Sequence, residues 1–112
     1  MSNKGTVFER QVKGYFLDKG WAAIRSSASS SPVDVYAWSP SGCEVWVQCK
    51  SSPNGMRPPE WNTFLAYCRH YDKRPVLATR VKVGRKLAMT FYEVTDYKTG
   101  NGERQPMVEI TL

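Results

Sequence analysis

Three polar residues on two neighbouring segments carry the first chemical signal. Asp34 lies near the start of VDVYAW (33–38), and Gln48 and Lys50 lie near the end of EVWVQCKSS (44–52). A strand that ends in a carboxylate, any residue and a lysine is a common way to build a site that cuts phosphodiesters, and here an amide stands in the carboxylate position. Metal-dependent cleavage needs hard oxygen ligands for Mg²⁺, a metal that acidifies water and neutralises charge building on the phosphate, and a fixed cation near the attacked phosphorus. Asp34 offers a carboxylate, Gln48 a neutral amide oxygen, the Cys49 backbone a carbonyl, and Lys50 the cation. Glu9 adds a second carboxylate if the first helix crosses this end of the sheet. Arg25 and the serine run at 26–31 would then face a phosphate backbone. The expected metal is Mg²⁺, with Mn²⁺ as the alternative. Each residue also has a plainer explanation. Asp34 alone reads as a strand-end carboxylate paired with a lysine, Glu9 and Arg10 as a solvated helix face, and Gln48 and Lys50 as the wet face of an edge strand. Trp46 on that same face argues that it is partly covered. The combination, in this order, carries the reading.

The elements that must position these groups follow from periodicity and turn chemistry. Phe8, Val12, Tyr15 and Phe16 make an apolar stripe at helical spacing within 4–19, and Gly20 is a plausible stop. Residues 21–26 read as a short strand, and SSASSS at 26–31 as a loop within one domain. Segment 33–38 is a second strand, SPSG at 39–42 a turn, and 43–50 the returning partner. Along that partner Val45, Val47 and Cys49 share one face, while Glu44, Trp46, Gln48 and Lys50 share the other. The hairpin brings Asp34 beside Gln48 and Lys50. Pro58-Pro59 opens a second helix through about Tyr71, with Trp61, Phe64, Leu65 and Cys68 as its apolar face. Segments 75–81 and 87–94 read as further strands, and 97–112 as a last edge strand (107–112) or a tail. The order predicts an α/β fold with a mixed central sheet.

The chain has 112 residues, one domain's worth; a domain of this size buries roughly 60–70% of its unfolded surface, giving a real but thin core. Its formal net charge of +6 is spread along the chain, which favours nucleic acid as the partner. No apolar run approaches the ~20 residues that span a bilayer, and MSNKGTVFER lacks an apolar h-region. Cys43, Cys49 and Cys68 lack metal-ligand spacing and read as free thiols in a reducing cytoplasm. The single His70 excludes most histidine-based catalysis and reads as a surface residue.

KGTVFER, then GWAAIRSSASSSPVDVYAW, then VWVQCKSS, with RPVLATRVKVGRKLAMTFYEV later, resembles the archaeal-type Holliday junction resolvases of the PD-(D/E)XK nuclease superfamily over about residues 4–96. The resemblance implies a restriction-endonuclease-like sheet flanked by helices, in a single domain over 1–112. It implies a metal-dependent endonuclease that resolves four-way DNA junctions by paired symmetric nicks, as a homodimer, with no membrane and no small-molecule cofactor. Such a protein would act with the nucleoid, or in a host cytoplasm if phage-encoded. Glu9, Asp34 and Gln48 then match the metal-site acids, with the Cys49 carbonyl beside them, and Lys50 matches the catalytic lysine. Arg10 and Arg25 match basic residues near the scissile phosphate, and Ser29 or Ser30 the loop serine. Lys4 and Arg57 are further DNA-contact candidates. The departure is Gln48, where the family has glutamate. Glu44 is no substitute, since four residues of extended strand put it roughly 13 Å away. Amide oxygens are acceptable ligands for hard cations, so an active enzyme with a higher metal requirement is expected. The other readings are a restriction- or repair-type endonuclease on the same fold, and a junction- or DNA-binding protein with a silent site. For the second subunit, the second helix with the PVLATRV region, or Phe91 and Tyr92, are the expected surfaces.

Overall fold

In the computed structural model, which describes residues 4–26, 31–52, 55–99 and 105–112 (the side chains of Lys4, Gly5 and Leu87 excepted), two helices clasp one six-stranded sheet. The elements are α1 (Lys4–Asp18), β1 (Ala22–Arg25), β2 (Val35–Trp38), β3 (Glu44–Lys50), α2 (Pro58–His70), β4 (Arg74–Val83), β5 (Lys86–Val94) and β6 (Met107–Ile110). Spatial order follows chain order, β1-β2-β3-β4-β5-β6, and every neighbouring pair is antiparallel except β3 and β4. A parallel pair needs a crossover, and α2 supplies it. The sheet is therefore mixed, as the sequence predicts, with strand and helix ends within a few residues of those expected.

The apolar stripe of α1, Phe8, Val12 and Phe16, packs on Val35, Ala37, Val45, Val47, Val76, Ala78 and Phe91. Trp61, Phe64, Leu65 and Cys68 of α2 pack on the opposite face with Val33, Trp46, Met56, Leu77 and Val94. The two-residue alternation along β3 thus divides its side chains between two cores. Gly20 takes φ +84°, the left-handed turn that ends α1. Described residues after β5 fold onto the domain: Trp61 Nε1 donates to the Asp96 carbonyl at 2.8 Å, and Asn62 exchanges two hydrogen bonds with Lys98. β6 then pairs with β5 as an edge strand, so 107–110 is a strand and not a loose tail.

The fold bears on two of the alternatives that the sequence leaves open. β3 is third of six strands, so Gln48 and Lys50 do not form the wet face of an edge strand; α2 covers that face. The apolar surfaces expected for a second subunit are largely spent within the chain, since Trp61, Phe64, Leu65, Val76, Leu77, Ala78 and Phe91 are buried. Ile24, Trp38, Val83 and Val108 are among the apolar side chains that remain exposed.

Candidate active site

The carboxyl end of β3 lies beside the middle of β4, with Gln48 opposite Leu77 and Lys50 opposite Thr79. Asp34 precedes β2, and its backbone N–H donates to the Val47 carbonyl at 2.9 Å. Its side chain then takes over the ladder: Oδ2 accepts the Cys49 N–H at 2.8 Å. The acid is thus fixed to the backbone of the strand that carries Gln48 and Lys50. Here β2 begins and the sheet opens into a cleft of about 340 Å³ lined by Phe8, Glu9, Asp34, Gln48, Cys49, Lys50, Ser51 and Arg80. The apolar stripe places Phe8 in the core, and its neighbour Glu9 comes to the cleft mouth. There Arg25 Nη2, from the end of β1, donates to Glu9 Oε1 at 3.3 Å.

Burial pushes the Asp34 carboxyl up from 3.8 to about 6; the Cys49 N–H and Lys50 oppose this, and the charges of Glu9 and Glu60 add to it. A carboxylate held in this way is short of positive charge. Gln48 is 8% exposed, and its Oε1 is buried without a hydrogen-bond partner. An unmet buried acceptor costs about 1–3 kcal/mol, so this oxygen is primed for a donor or a cation. Burial, with the Asp34 and Glu9 charges, raises the Cys49 thiol well above its usual range; the thiol stays protonated and leaves the ligand role to oxygen. Among the described residues no three His, Cys, Asp or Glu side chains cluster as a metal site. The cleft holds two carboxylates, and the third position is the amide. The set of Glu9, Asp34, the Gln48 oxygen and the Cys49 carbonyl is all hard oxygen, which fits Mg²⁺ or Mn²⁺.

Lys50 pairs with Glu60 in the first turn of α2, Nζ to Oε1 2.6 Å. Arg80 reaches the cleft from β4 with its guanidinium 5.0 Å from the Phe8 ring centre. Neither Glu60 nor Arg80 was among the sequence candidates. Arg80 had a signal in RVKVGRK, a basic run directly after an apolar strand. Of the remaining candidates, Arg10 on α1 and Arg57 at the N-cap of α2 are exposed and do not line the cleft. Ser29, Ser30 and the Lys4 side chain lie outside the described residues. Glu44 sits at the far end of β3, bonded to Trp46 Nε1 and Lys73, as its spacing requires.

Residues 1–103 match the family model for archaeal Holliday junction resolvase (Hjc). Among solved structures, the chain is similar to Archaeoglobus fulgidus Hjc, a Holliday junction resolvase from an archaeal hyperthermophile. The two share 24% identity with a TM-score of 0.63, over 80% of this chain and 75% of that one. Comparison with curated protein sequences returns no match.

Proposed function

The chain belongs to the archaeal Holliday junction resolvase family, and on that premise we propose that it is a metal-dependent endodeoxyribonuclease that resolves four-way DNA junctions by paired symmetric nicks as a homodimer. The observation that supports this most is the cleft itself. Glu9, Asp34, Gln48 and Lys50, chosen from the sequence, converge there, and the Gln48 oxygen is left without a partner.

Glu9, Asp34, the Gln48 amide oxygen and the Cys49 carbonyl would hold Mg²⁺, or Mn²⁺. When bound, the ion supplies an activated water and offsets charge on the phosphate. The chain's own groups do the rest. Asp34 is locked by the Cys49 N–H, so little reorganisation is needed at its carboxylate. Lys50, 26% exposed and lining the cleft, presents further N–H donors to the phosphate oxygens. Arg25 holds Glu9 in place through their ion pair. Arg80, with Arg10 and Arg57 further out, attracts the backbone. Gln48 leaves the site one negative charge short of a glutamate-bearing relative, so a higher metal requirement is expected.

A junction is cut at two symmetric places, and a two-fold dimer with one site per subunit does this directly. Recognition would run through junction shape and phosphates, so salt weakens it. Free thiols at Cys43, Cys49 and Cys68 suit a reducing cytoplasm; among the described residues, no helix is long and apolar enough to cross a membrane.

The test is cleavage of a labelled four-way junction in Mg²⁺ and in Mn²⁺, beside a matched linear duplex and the Asp34→Asn protein. Paired nicks in the junction alone, lost with Asp34→Asn, are the expected result. Equal cutting of both substrates would replace the reading with a general endonuclease. Tight junction binding without cutting in either metal would replace it with a silent-site binding protein.

A further inference from the structure

A lysine that must stand beside an attacked phosphate needs something to aim it. In this cleft the strand itself provides no carboxylate two residues before Lys50, because Gln48 is neutral. What Lys50 meets is Glu60, ten residues on and on a different element, with Nζ 2.6 Å from Oε1. We propose that Glu60 is a positioning residue of the cleavage site: it aims the Lys50 ammonium and returns, from α2, the negative charge that Gln48 leaves out of β3. The proposal rests on the cleft being the cleavage site.

The path between the two residues is built for this contact. Lys50 is confined along its stem as well as at its head. A Cβ on Gly55 would lie 3.2 Å from the Ser52 carbonyl oxygen, 3.3 Å from Lys50 Cβ and 3.5 Å from Lys50 Cδ, so the bare backbone of Gly55 lies over the stem. Met56, next in the chain, is buried, and its carbonyl accepts Lys98 Nζ at 2.7 Å, which pins the returning loop. Prolines in the first turn of α2 then restrict the backbone from which Glu60 projects. The loop, the prolines and the ion pair all bear on one side chain.

A plain surface role explains less. An acid in the first helical turn interacts favourably with the macrodipole, and an exposed ion pair adds little to stability. Neither accounts for a pair placed beside a buried, unpartnered Gln48 oxygen in the same cleft region. The charge of Glu60 also reaches Asp34: after burial and Glu9, it is among the causes that raise that carboxyl. Glu60 itself is 44% exposed and does not line the cleft, so it acts on the site through Lys50 and through its field.

Five proteins test this: wild type, Glu60→Gln, Gln48→Glu, the double variant, and Glu109→Gln on edge strand β6 as a control for net charge. One readout needs no DNA. The Mg²⁺ concentration at half-maximal thermal stabilisation should rise roughly three- to tenfold in Glu60→Gln, with the metal-free Tm nearly unchanged. It should return to within about twofold of wild type in the double variant, while Glu109→Gln stays at wild type. The second readout is junction cleavage, where Glu60→Gln should lower kcat about tenfold and leave KM in place. An unchanged Mg²⁺ midpoint in Glu60→Gln overturns the proposal. So does an equal effect of Glu109→Gln, a loss that Gln48→Glu does not restore, or a wild-type protein that Mg²⁺ does not stabilise. A wild type that Mg²⁺ stabilises but that cuts no junction defeats the proposed function instead, and the midpoints still decide the role of Glu60.

Discussion

Removing the charge of Asp34 should make this protein more stable while destroying its proposed activity. The carboxyl is raised from 3.8 to about 6, chiefly by burial. At about 1.4 kcal/mol per pKa step, keeping it ionised in the fold costs up to about 3 kcal/mol. The sign follows from proton uptake: between pH 4 and 6 the folded chain holds a proton that the unfolded chain has released. The favourable contribution is complete below the unfolded pKa and is lost as pH rises through about 6. Asn at position 34 stays neutral throughout, and its Oδ1 still accepts the Cys49 N–H that now bonds Oδ2. Asp34→Asn should therefore gain about 1–3 kcal/mol at pH 8 without divalent ions, roughly 5–10 °C in Tm for a domain of this size. The gain should shrink steadily toward pH 4.5. Thermal unfolding followed by circular dichroism in EDTA, at half-unit steps of pH, measures it. A variant no more stable than wild type at pH 8, or one with the same gain at every pH, would refute the claim that burial of a charge dominates this carboxylate.

Further expectations follow from the same cleft. Gln48→Glu should lower the Mg²⁺ needed for half-maximal cleavage about tenfold and lower the metal-free Tm, because it adds a buried carboxylate beside Asp34 and Glu9; unchanged metal dependence would remove Gln48 from the ligand set. Gly55→Ala should lower junction cleavage about tenfold with little loss of Tm, since the new methyl meets the Ser52 carbonyl and the Lys50 stem at 3.2–3.3 Å; full activity would mean that the stem is not confined. Arg80→Ala should weaken junction binding and flatten its log–log salt dependence by about one unit, read by fluorescence anisotropy; an unchanged slope would take Arg80 off the phosphate path.

How much of this was legible depends on how far apart the participants lie in the chain. The pairing of Asp34 with Gln48 and Lys50 is a local hairpin, announced by SPSG and by alternation on both sides, and it forms in the expected register. The division of β3 between two faces was equally plain from Val45, Val47 and Cys49 against Trp46 and Gln48. Central placement was harder to read, because a Gln and a Lys on a strand look like solvated residues until α2 is laid over them. The inward face of the later strands is equally hard to tell from an exposed apolar surface: Val76, Ala78 and Phe91 are apolar because they pack under α1, and Leu77 because it packs under α2. Glu60 gave no signal, since its meeting with Lys50 exists only once α2 is packed against the sheet. A charged residue in a first helical turn has an ordinary explanation until that happens.

The bond from the Cys49 amide to Asp34 has a use beyond holding the acid still. A backbone N–H just beyond the paired residues of β2 bonds to a side chain, the carboxylate on which the proposed activity rests. That single amide is therefore an internal reporter. Its nitrogen and proton frequencies will move as the carboxylate gains a proton or a cation, and its exchange with deuterium will count how often the carboxylate lets go. The working fraction of the site can then be read from one resonance, with no substrate present.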